Sequence, residues 1–194
     1  MKLFYWLRLS LLCLLSTVAG YNSQADELKA GVFSPSRPAP DFLLKGSNGS
    51  DLKLSQYRGK VVILGFGYTS CTNVCPITLA MLSQANQQLD TLASQVQVLY
   101  LTVDPQRDSP ARLKEYLAAF NPSFIGGSGT AEQMAAVRKL YGVTAEKHDF
   151  GKDYVIAHSS FVYLIDRTGA LRALMPFGHK ADDYVHDLKI LLKE

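Results

Sequence analysis

The sequence predicts an α/β domain in which a parallel βαβ unit is followed by an antiparallel hairpin and a last helix. Two apolar runs, at 61–66 and 96–103, enclose a segment whose leucines recur at helical spacing. Farther along, two strand-like runs flank the turn 166–169. Parallel strands need a long crossover, whereas a hairpin needs a short turn, so the order of the elements sets the direction of each strand.

The elements before the first core strand are expected to be extended. Prolines at 35, 38 and 40 bias their predecessors away from the helical region, so residues 26–40 are predicted to form a Pro-rich tether. The runs 41–44 and 51–54 flank Asn48-Gly49, which predicts a hairpin.

Helix-start signals place the remaining elements. Ser109-Pro110 combines a capping residue with a proline at the first helical position, and Thr130 with Gln133 matches a capping box. The predicted order is strand 61–66, helix 76–93, strand 96–103, helix from 110, short strand 124–125, helix from 131, hairpin 160–175 and helix 181–192. This is a thioredoxin-like order with an N-terminal β-hairpin extension, and the domain is predicted to span residues 41–194.

The first 25 residues resemble an export segment. Lys2 and Arg8 precede an uncharged apolar run from Leu9 to Ala19, and small residues follow it. This pattern predicts a signal peptide of a bacterial exported protein, or an uncleaved N-terminal membrane anchor. Cys13 lies within the apolar run and is interpreted as a packed apolar residue. The pattern predicts a periplasmic location.

Charge and composition favour an ordinary globular domain. Of 20 Lys and Arg and 17 Asp and Glu in 194 residues, Lys2 and Arg8 belong to the export segment, which leaves 18 against 17. No basic stripe that would bind nucleic acid is present in this sequence. About 169 residues remain after that segment, enough for one domain with a sizeable core.

Cys71 and Cys75 are the chemically informative pair. They are the only cysteines after the export segment, and they lie where a strand-like run gives way to a helix-like one. Sites of open α/β sheets lie at the carboxyl ends of strands, and a helix N-terminus favours thiolate over thiol. If the segment is helical, the spacing places both sulfurs on one face. The pair can act as a redox dithiol, a disulfide or metal ligands.

Three segments resemble the Sco/SenC family of copper proteins, which serve cytochrome c oxidase assembly. They are 71–76 (CTNVCP), 102–110 (TVDPQRDSP) and 158–166 (HSSFVYLID), and the resemblance covers most of residues 37–194. It implies one copper ion, Cu(I) or Cu(II), bound by Cys71, Cys75 and His158. It also implies a copper-receiving partner, with oxidase subunit II as the expected one. A membrane contact is expected only through the N-terminal segment.

The donor chemistry agrees with that implication. Two thiolates and an imidazole suit copper, whereas structural zinc normally takes four protein ligands and this chain has no third cysteine after the export segment. His158 precedes a core strand, where a thioredoxin oxidoreductase would carry a cis-proline. In the family an acidic residue commonly precedes this histidine, and here Ala157 stands there. The other histidines, His148, His179 and His186, are expected to be surface residues.

Three functional classes remain open. The first is a copper metallochaperone, and the second is a thiol:disulfide reductase in which Cys71 and Cys75 cycle against a partner's cysteines, with a thioredoxin-like reductant restoring the dithiol. The third is a peroxiredoxin-like peroxidase, suggested by Thr72-x-x-Cys75-Pro76. Peroxiredoxins carry a proline where this chain has Tyr68.

Asp104 is expected to act near the metal or in partner docking rather than as a ligand, and Tyr68 and Phe66 line either the site or the core.

Overall fold

The computed structural model describes residues 27–194, so the predicted export segment lies outside the described residues. Eight strands form one sheet in the order β1-β10-β9-β4-β5-β6-β2-β3, and β7 and β8 form a separate pair. The strands are β1 Gly31–Pro38, β2 Leu43–Gly46, β3 Asp51–Lys53, β4 Val61–Gly67, β5 Val96–Thr102, β6 Ile125–Ser128, β7 Ala145–Phe150, β8 Asp153–His158, β9 Phe161–Ile165 and β10 Ala170–Pro176. The helices are α1 Val74–Gln88, α2 Pro110–Ala118, α3 Ala131–Tyr141 and α4 Ala181–Lys193, with 3-10 turns at Leu54–Tyr57 and Asp90–Gln95.

The centre of the sheet confirms the predicted α/β arrangement. β4 runs parallel to β5, and β5 runs parallel to β6, whereas β9 is antiparallel to both β4 and β10. All seven residues of β4 and all seven of β5 are buried. A strand covered on both faces needs apolar side chains in both directions, which explains why these runs are continuous rather than alternating.

The helix starts follow the predicted signals. The Ser109 hydroxyl accepts a hydrogen bond from the Arg112 N–H at 3.2 Å, and Thr130 and Gln133 form the reciprocal capping box. Helix α1 begins at Val74, two residues before the predicted start, and ends at Gln88. The 3-10 turn Asp90–Gln95 takes up the rest of the predicted helix.

Two N-terminal elements differ from expectation in how they pair. The predicted β2–β3 hairpin is present, but β2 also pairs with β6, so the hairpin continues the main sheet rather than standing outside it. The segment expected to be a tether contains β1, which pairs antiparallel with β10. Pairing covers the backbone edge that β10 would otherwise expose. Prolines are tolerated there because an edge strand leaves some N–H groups unpaired.

The start of β1 is held by a buried carboxylate on the last helix. Asp187 is fully buried, and its two oxygens accept hydrogen bonds from the N–H groups of Lys29 at 2.8 Å and Ala30 at 2.9 Å. The contact joins positions that are 157 and 158 residues apart. The carboxylate therefore fixes where the N-terminal segment enters the sheet.

The β7–β8 pair was not predicted from the sequence. β7 has the sequence AEKHDF and is exposed apart from its first residue, so it lacks the apolar alternation that marks a half-buried strand. β8 does alternate, with Tyr154, Ile156 and His158 half-buried between exposed neighbours. Within residues 27–194, no helix combines the length and the apolar character needed to cross a membrane.

We expect Asp187→Ala to lower the free energy of unfolding by about 1–3 kcal/mol, because two buried N–H groups lose their acceptor. Asp182→Ala is the matched control on the same helix, since the Asp182 carboxylate accepts an exposed hydrogen bond from Gln88. Urea unfolding of the two variants beside the parent measures the difference. Equal midpoints for both variants would contradict the role given to Asp187.

Candidate metal and thiol site

The three predicted ligands come from two regions that meet at the carboxyl end of β4. Cys71 lies in the turn between β4 and α1, and Cys75 lies in the first turn of α1. His158 is the last residue of β8 and precedes β9, the antiparallel neighbour of β4. Sheet pairing therefore brings a histidine from late in the chain to the cysteine pair.

His158 contacts Cys75 directly. The His158 Nε2 atom lies 3.4 Å from the Cys75 Sγ atom, and the His158 Nδ1 atom lies 2.8 Å from the Ser159 carbonyl oxygen. Because a carbonyl can only accept, Nδ1 carries the proton and donates to it. Nε2 consequently directs its lone pair towards the sulfur. Metal-binding histidines are commonly oriented by such a hydrogen bond from their second nitrogen.

Cys71 lies beside the start of helix α1. The side chain of Asn73, the residue before the helix, makes no capping hydrogen bond. The backbone N–H groups of Asn73 and Cys75 favour the Cys71 thiolate and help to lower the pKa of Cys71. Helix N-termini leave such N–H groups without intrahelical partners, and an anion satisfies them best. A shared helical face was expected only if the segment from Cys71 to Cys75 was helical, and that condition is not met because Cys71 precedes the helix, which begins at Val74.

The pKa values of the two thiols are shifted in opposite directions. The hydrogen bond donated by the Cys75 thiol lowers the pKa of Cys71 to about 5, although partial burial opposes this shift. The same hydrogen bond, together with burial, raises the pKa of Cys75. Cys71 is half-buried and Cys75 is 3% exposed, and both are free thiols in this structure. The pair therefore consists of an accessible thiolate and a buried proton donor.

The described residues do not present a completed metal cluster. Nowhere in residues 27–194 do three or more His, Cys, Asp or Glu side chains stand in positions ready to hold a metal ion. Cys75 and His158 are in contact, and Cys71 is hydrogen-bonded to Cys75 rather than to the histidine. A cavity of about 20 Å³ is lined by Cys75 and His158, room for about one water-sized sphere.

A buried carboxylate positions the turn that carries Cys71. Asp108 is fully buried and accepts hydrogen bonds from the Thr69 N–H at 2.9 Å and the Thr69 hydroxyl at 2.6 Å. The Thr102 hydroxyl at the end of β5 donates to the same carboxylate at 2.7 Å. In the sequence, Asp108 stands directly before the helix-start pair Ser109-Pro110. Only the fold shows that it ties β5 to the cysteine turn.

Alternate residues of β8 attach the histidine strand to the rest of the site. The Tyr154 hydroxyl donates to Asp104 Oδ1 at 2.8 Å, and the Ile156 N–H donates to the Tyr68 hydroxyl at 3.2 Å. His158 then meets Cys75. Side chains two apart on a strand share a face. The Tyr154 and His158 side chains therefore contact the site from one face of β8, and the Ile156 backbone adds a third contact.

Asp104 and Arg107 support that strand from the loop after β5. Arg107 Nε donates to Asp104 Oδ2 at 2.5 Å, and the Arg107 guanidinium lies 3.7 Å from the Tyr154 ring centroid. Such stacking contributes about 0.5–2 kcal/mol, more when it is desolvated. Asp104 is thus bonded to residues that hold the histidine strand. Arg107 and Tyr154 were not among the predicted site residues, and only the inward alternation of β8 signals Tyr154.

The structure separates the two aromatic residues between which the sequence could not choose. The Tyr68 ring lies edge-on to the His158 ring with centroids 5.9 Å apart, so Tyr68 borders the site. Phe66 packs against Tyr141 and Tyr163 in the core, with one edge at the small cavity.

The remaining histidines pair with nearby carboxylates. His179 contacts Asp183 at 3.3 Å and His186 contacts Asp187 at 2.9 Å, whereas His148 is exposed. His148 lies on β7, the outer partner of the strand that carries His158. It therefore offers a histidine on the same hairpin that makes no contact with Cys75.

We predict that alkylation of Cys71 by iodoacetamide rises with pH around a midpoint near 5, because Cys75 donates a hydrogen bond to its thiolate. In Cys75→Ala the midpoint should move towards about 8.5, the value of an ordinary thiol. Peptide mapping after timed labelling measures the rate at Cys71. A parent midpoint near that of an ordinary thiol would contradict the assignment.

The same shift links protonation to stability. Folding lowers the pKa of Cys71, so its thiolate contributes stability above the unfolded pKa of about 8.5. That contribution is lost progressively as the pH falls through the folded pKa of about 5.

Comparison with known proteins identifies the family of the chain. The SCO1/SenC family model matches residues 34–193. An SCO2-like protein of Rickettsia felis is 35% identical over 132 residues, which cover 66% of this chain and 64% of the relative. The chain thus spans a little under two thirds of that relative's length.

Solved structures agree with the sequence match. Apo Sco1 from Thermus thermophilus is 33% identical with a TM-score of 0.78, covering 87% of this chain and 99% of the other. ScoI from Bradyrhizobium japonicum, solved with copper bound, is 32% identical with a TM-score of 0.75, covering 80% of this chain and 100% of the other. The sequence match and the fold lead to one conclusion: the chain belongs to the SCO1/SenC family and has its thioredoxin-like fold.

Proposed function

We propose that the protein is a copper metallochaperone that holds one copper ion through Cys71, Cys75 and His158. The observation that carries the proposal is the 3.4 Å contact between Cys75 Sγ and His158 Nε2 beside the Cys71 thiolate. Thiolate and imidazole ligands lie about 2.0–2.3 Å from zinc. At bond lengths of that order, atoms 3.4 Å apart can reach one ion. Soft sulfur donors favour Cu(I), and the added imidazole also suits Cu(II).

A site with three donors, two from the start of α1 and its preceding turn and one from β8, suits an ion that must be released again. Copper is the cargo, and a site with fewer protein ligands than a structural zinc site leaves room for an incoming ligand from the partner. Cys71 lies in the turn before the helix and is half-buried, so an arriving ion can reach its sulfur. The proposed partner is the copper centre of cytochrome c oxidase subunit II, the destination implied by the Sco/SenC resemblance.

The proposed location is the bacterial periplasm. This proposal rests on the export-like pattern of residues 1–25, which also supplies the only expected membrane contact.

Thiol:disulfide exchange is a second candidate, favoured by the unequal exposure of the two cysteines. The accessible Cys71 thiolate would attack a partner disulfide, forming a mixed disulfide and releasing one partner thiolate. The buried Cys75 would then attack the Cys71 sulfur and release the second partner thiol. The partner gains two electrons, and Cys71–Cys75 becomes a disulfide that a thioredoxin-like reductant must reduce.

The burial of Cys75 argues against a peroxidase. A peroxiredoxin-like mechanism would use Cys75 as the attacking thiolate, because Cys75 occupies the cysteine of the Thr72-x-x-Cys75-Pro76 pattern. Its side chain is 3% exposed, and its pKa is raised by the hydrogen bond to Cys71 and by burial. Both features oppose a peroxide-reactive thiolate at this position.

Anaerobic Cu(I) titration of the dithiol protein tests the proposal, with bicinchoninate as the competing chelator. We expect one equivalent in the parent and losses of affinity above about 100-fold in His158→Ala and Cys75→Ser, because even residues outside the ligand set cost about 10–100-fold. His148→Ala is the matched control and should bind like the parent. If His158→Ala bound Cu(I) as tightly as the parent, while the dithiol still reduced a model disulfide, thiol exchange would replace the metallochaperone proposal.

A further inference from the structure

A tyrosine without a hydrogen-bond partner lies behind the cysteine pair. Tyr100, on β5, is 3% exposed, and within residues 27–194 its buried hydroxyl has no partner of acceptable geometry. A buried hydroxyl that is left unpaired costs about 1–3 kcal/mol. Such groups are rare enough in folded proteins to call for a specific explanation.

The Tyr100 hydroxyl and the Cys75 sulfur meet at one point. A Cβ atom built on Gly67 would lie 1.8 Å from the Tyr100 hydroxyl oxygen and 2.8 Å from Cys75 Sγ. Any side chain at position 67 would therefore collide with both atoms. Gly67 leaves the space that lets the phenol and the thiol approach each other.

A second glycine makes room for the ring. Gly65 is the register partner of Tyr100 across the parallel β4–β5 pair. A Cβ atom on Gly65 would lie 3.4 Å from Tyr100 Cδ2, at the close end of ordinary van der Waals contact. Glycine costs about 0.5–1 kcal/mol in a strand interior relative to alanine. Gly65 therefore lets the ring pack closely on β4, and Gly67 makes the space that the Tyr100 hydroxyl shares with Cys75.

The chemistry of sulfur explains why the hydroxyl is unpaired in this state. A thiol sulfur is only a weak acceptor, so the Tyr100 hydroxyl gains little from Cys75 while Cys75 keeps its proton. Metal binding requires Cys75 to lose that proton. The resulting thiolate is a strong acceptor, and the Tyr100 hydroxyl is the adjacent unused donor. Hydrogen bonds to charged groups are about twice as strong as neutral ones.

We propose that Tyr100 is a positioning residue whose hydroxyl donates a hydrogen bond to the Cys75 thiolate when copper is held. The inference rests on the proposed copper site and deepens it. In the metal-free dithiol the hydroxyl faces only a weak acceptor, the Cys75 thiol, whereas in the loaded protein it faces a strong one, the thiolate. Tyr100 therefore stabilises the loaded site relative to the empty one, which raises the affinity of a three-ligand site without adding a ligand.

Tyr100→Phe tests the inference, and Tyr116→Phe is the matched control. Tyr116 also has a buried hydroxyl without a partner in the described part of the chain, but the three atoms nearest to a Cβ on Gly67 belong to Tyr100 and Cys75 and not to Tyr116. We expect Tyr100→Phe to weaken Cu(I) binding about 10- to 100-fold in competition with bicinchoninate, the usual cost of removing a group that supports a ligand. Tyr116→Phe should bind Cu(I) like the parent.

Two further readouts separate this role from a merely structural one. In the Cu(II) form, losing a hydrogen bond at sulfur raises the energy of the sulfur lone pair, so the sulfur-to-copper charge-transfer band of Tyr100→Phe should move to longer wavelength. The metal-free Tyr100→Phe dithiol should melt at the parental temperature or about 2–4 °C above it, because an unpaired buried hydroxyl is removed.

The outcomes distinguish this inference from the copper proposal. If the parent binds no copper, the proposed function itself fails. If the parent binds one equivalent and Tyr100→Phe keeps the parental affinity and band, the inference is wrong and the copper site stands. A band shift of equal size in Tyr116→Phe, or a lower melting temperature of metal-free Tyr100→Phe, also overturns it.

Discussion

The contact between His158 and Cys75 is the interaction on which the site depends, because it joins residues 83 positions apart. The cysteine turn and the histidine strand each need further contacts to keep these two residues together. The turn that contains Cys71 is attached to β5 through Asp108, and the histidine strand is attached through Tyr154 and Ile156. These supports are buried or half-buried hydrogen bonds, and such bonds specify one arrangement because an unpaired polar group in the same place is costly.

The asymmetry of the two cysteines gives the site its chemistry. One proton is shared unequally, so that Cys71 is the thiolate and Cys75 the donor. The helix start stabilises the anion on Cys71 through backbone N–H groups rather than through a charged side chain. An arriving metal ion therefore meets one sulfur that is already deprotonated, and it has to displace a proton only from Cys75. The same arrangement serves disulfide exchange, which is why sequence alone could not separate the two functions.

Much of the fold could be predicted because its signals are local. The buried runs of β4 and β5, the cap at Ser109 and the capping box at Thr130 each depend on neighbours within a few residues. Cys71, Cys75 and His158 could be named from their sequence context, because they carry the family resemblance. Pairing between distant segments was not predictable in this way. β1 joins the sheet because β10 has a free edge, and Pro35 and Pro38 gave no indication of that pairing.

The supporting residues could not be found from the sequence for a related reason. Asp108 reads locally as the start of a helix, and its role appears only when the Thr69 turn is folded against it. In the sequence, Tyr100 is one more residue of a buried strand. Only the short distance between its hydroxyl and a Cβ built on Gly67 shows where that hydroxyl lies. In both cases the side chain satisfies a local pattern and serves a distant partner as well.

The central claim is that one copper ion joins both sulfurs to the imidazole, and X-ray absorption at the copper edge tests it most directly. The Cu(I)-loaded protein should show scattering from two sulfur atoms and one imidazole nitrogen, with the nitrogen contribution absent in His158→Ala. Sulfur scattering alone in the parent, or nitrogen scattering that persists in His158→Ala, would contradict the account.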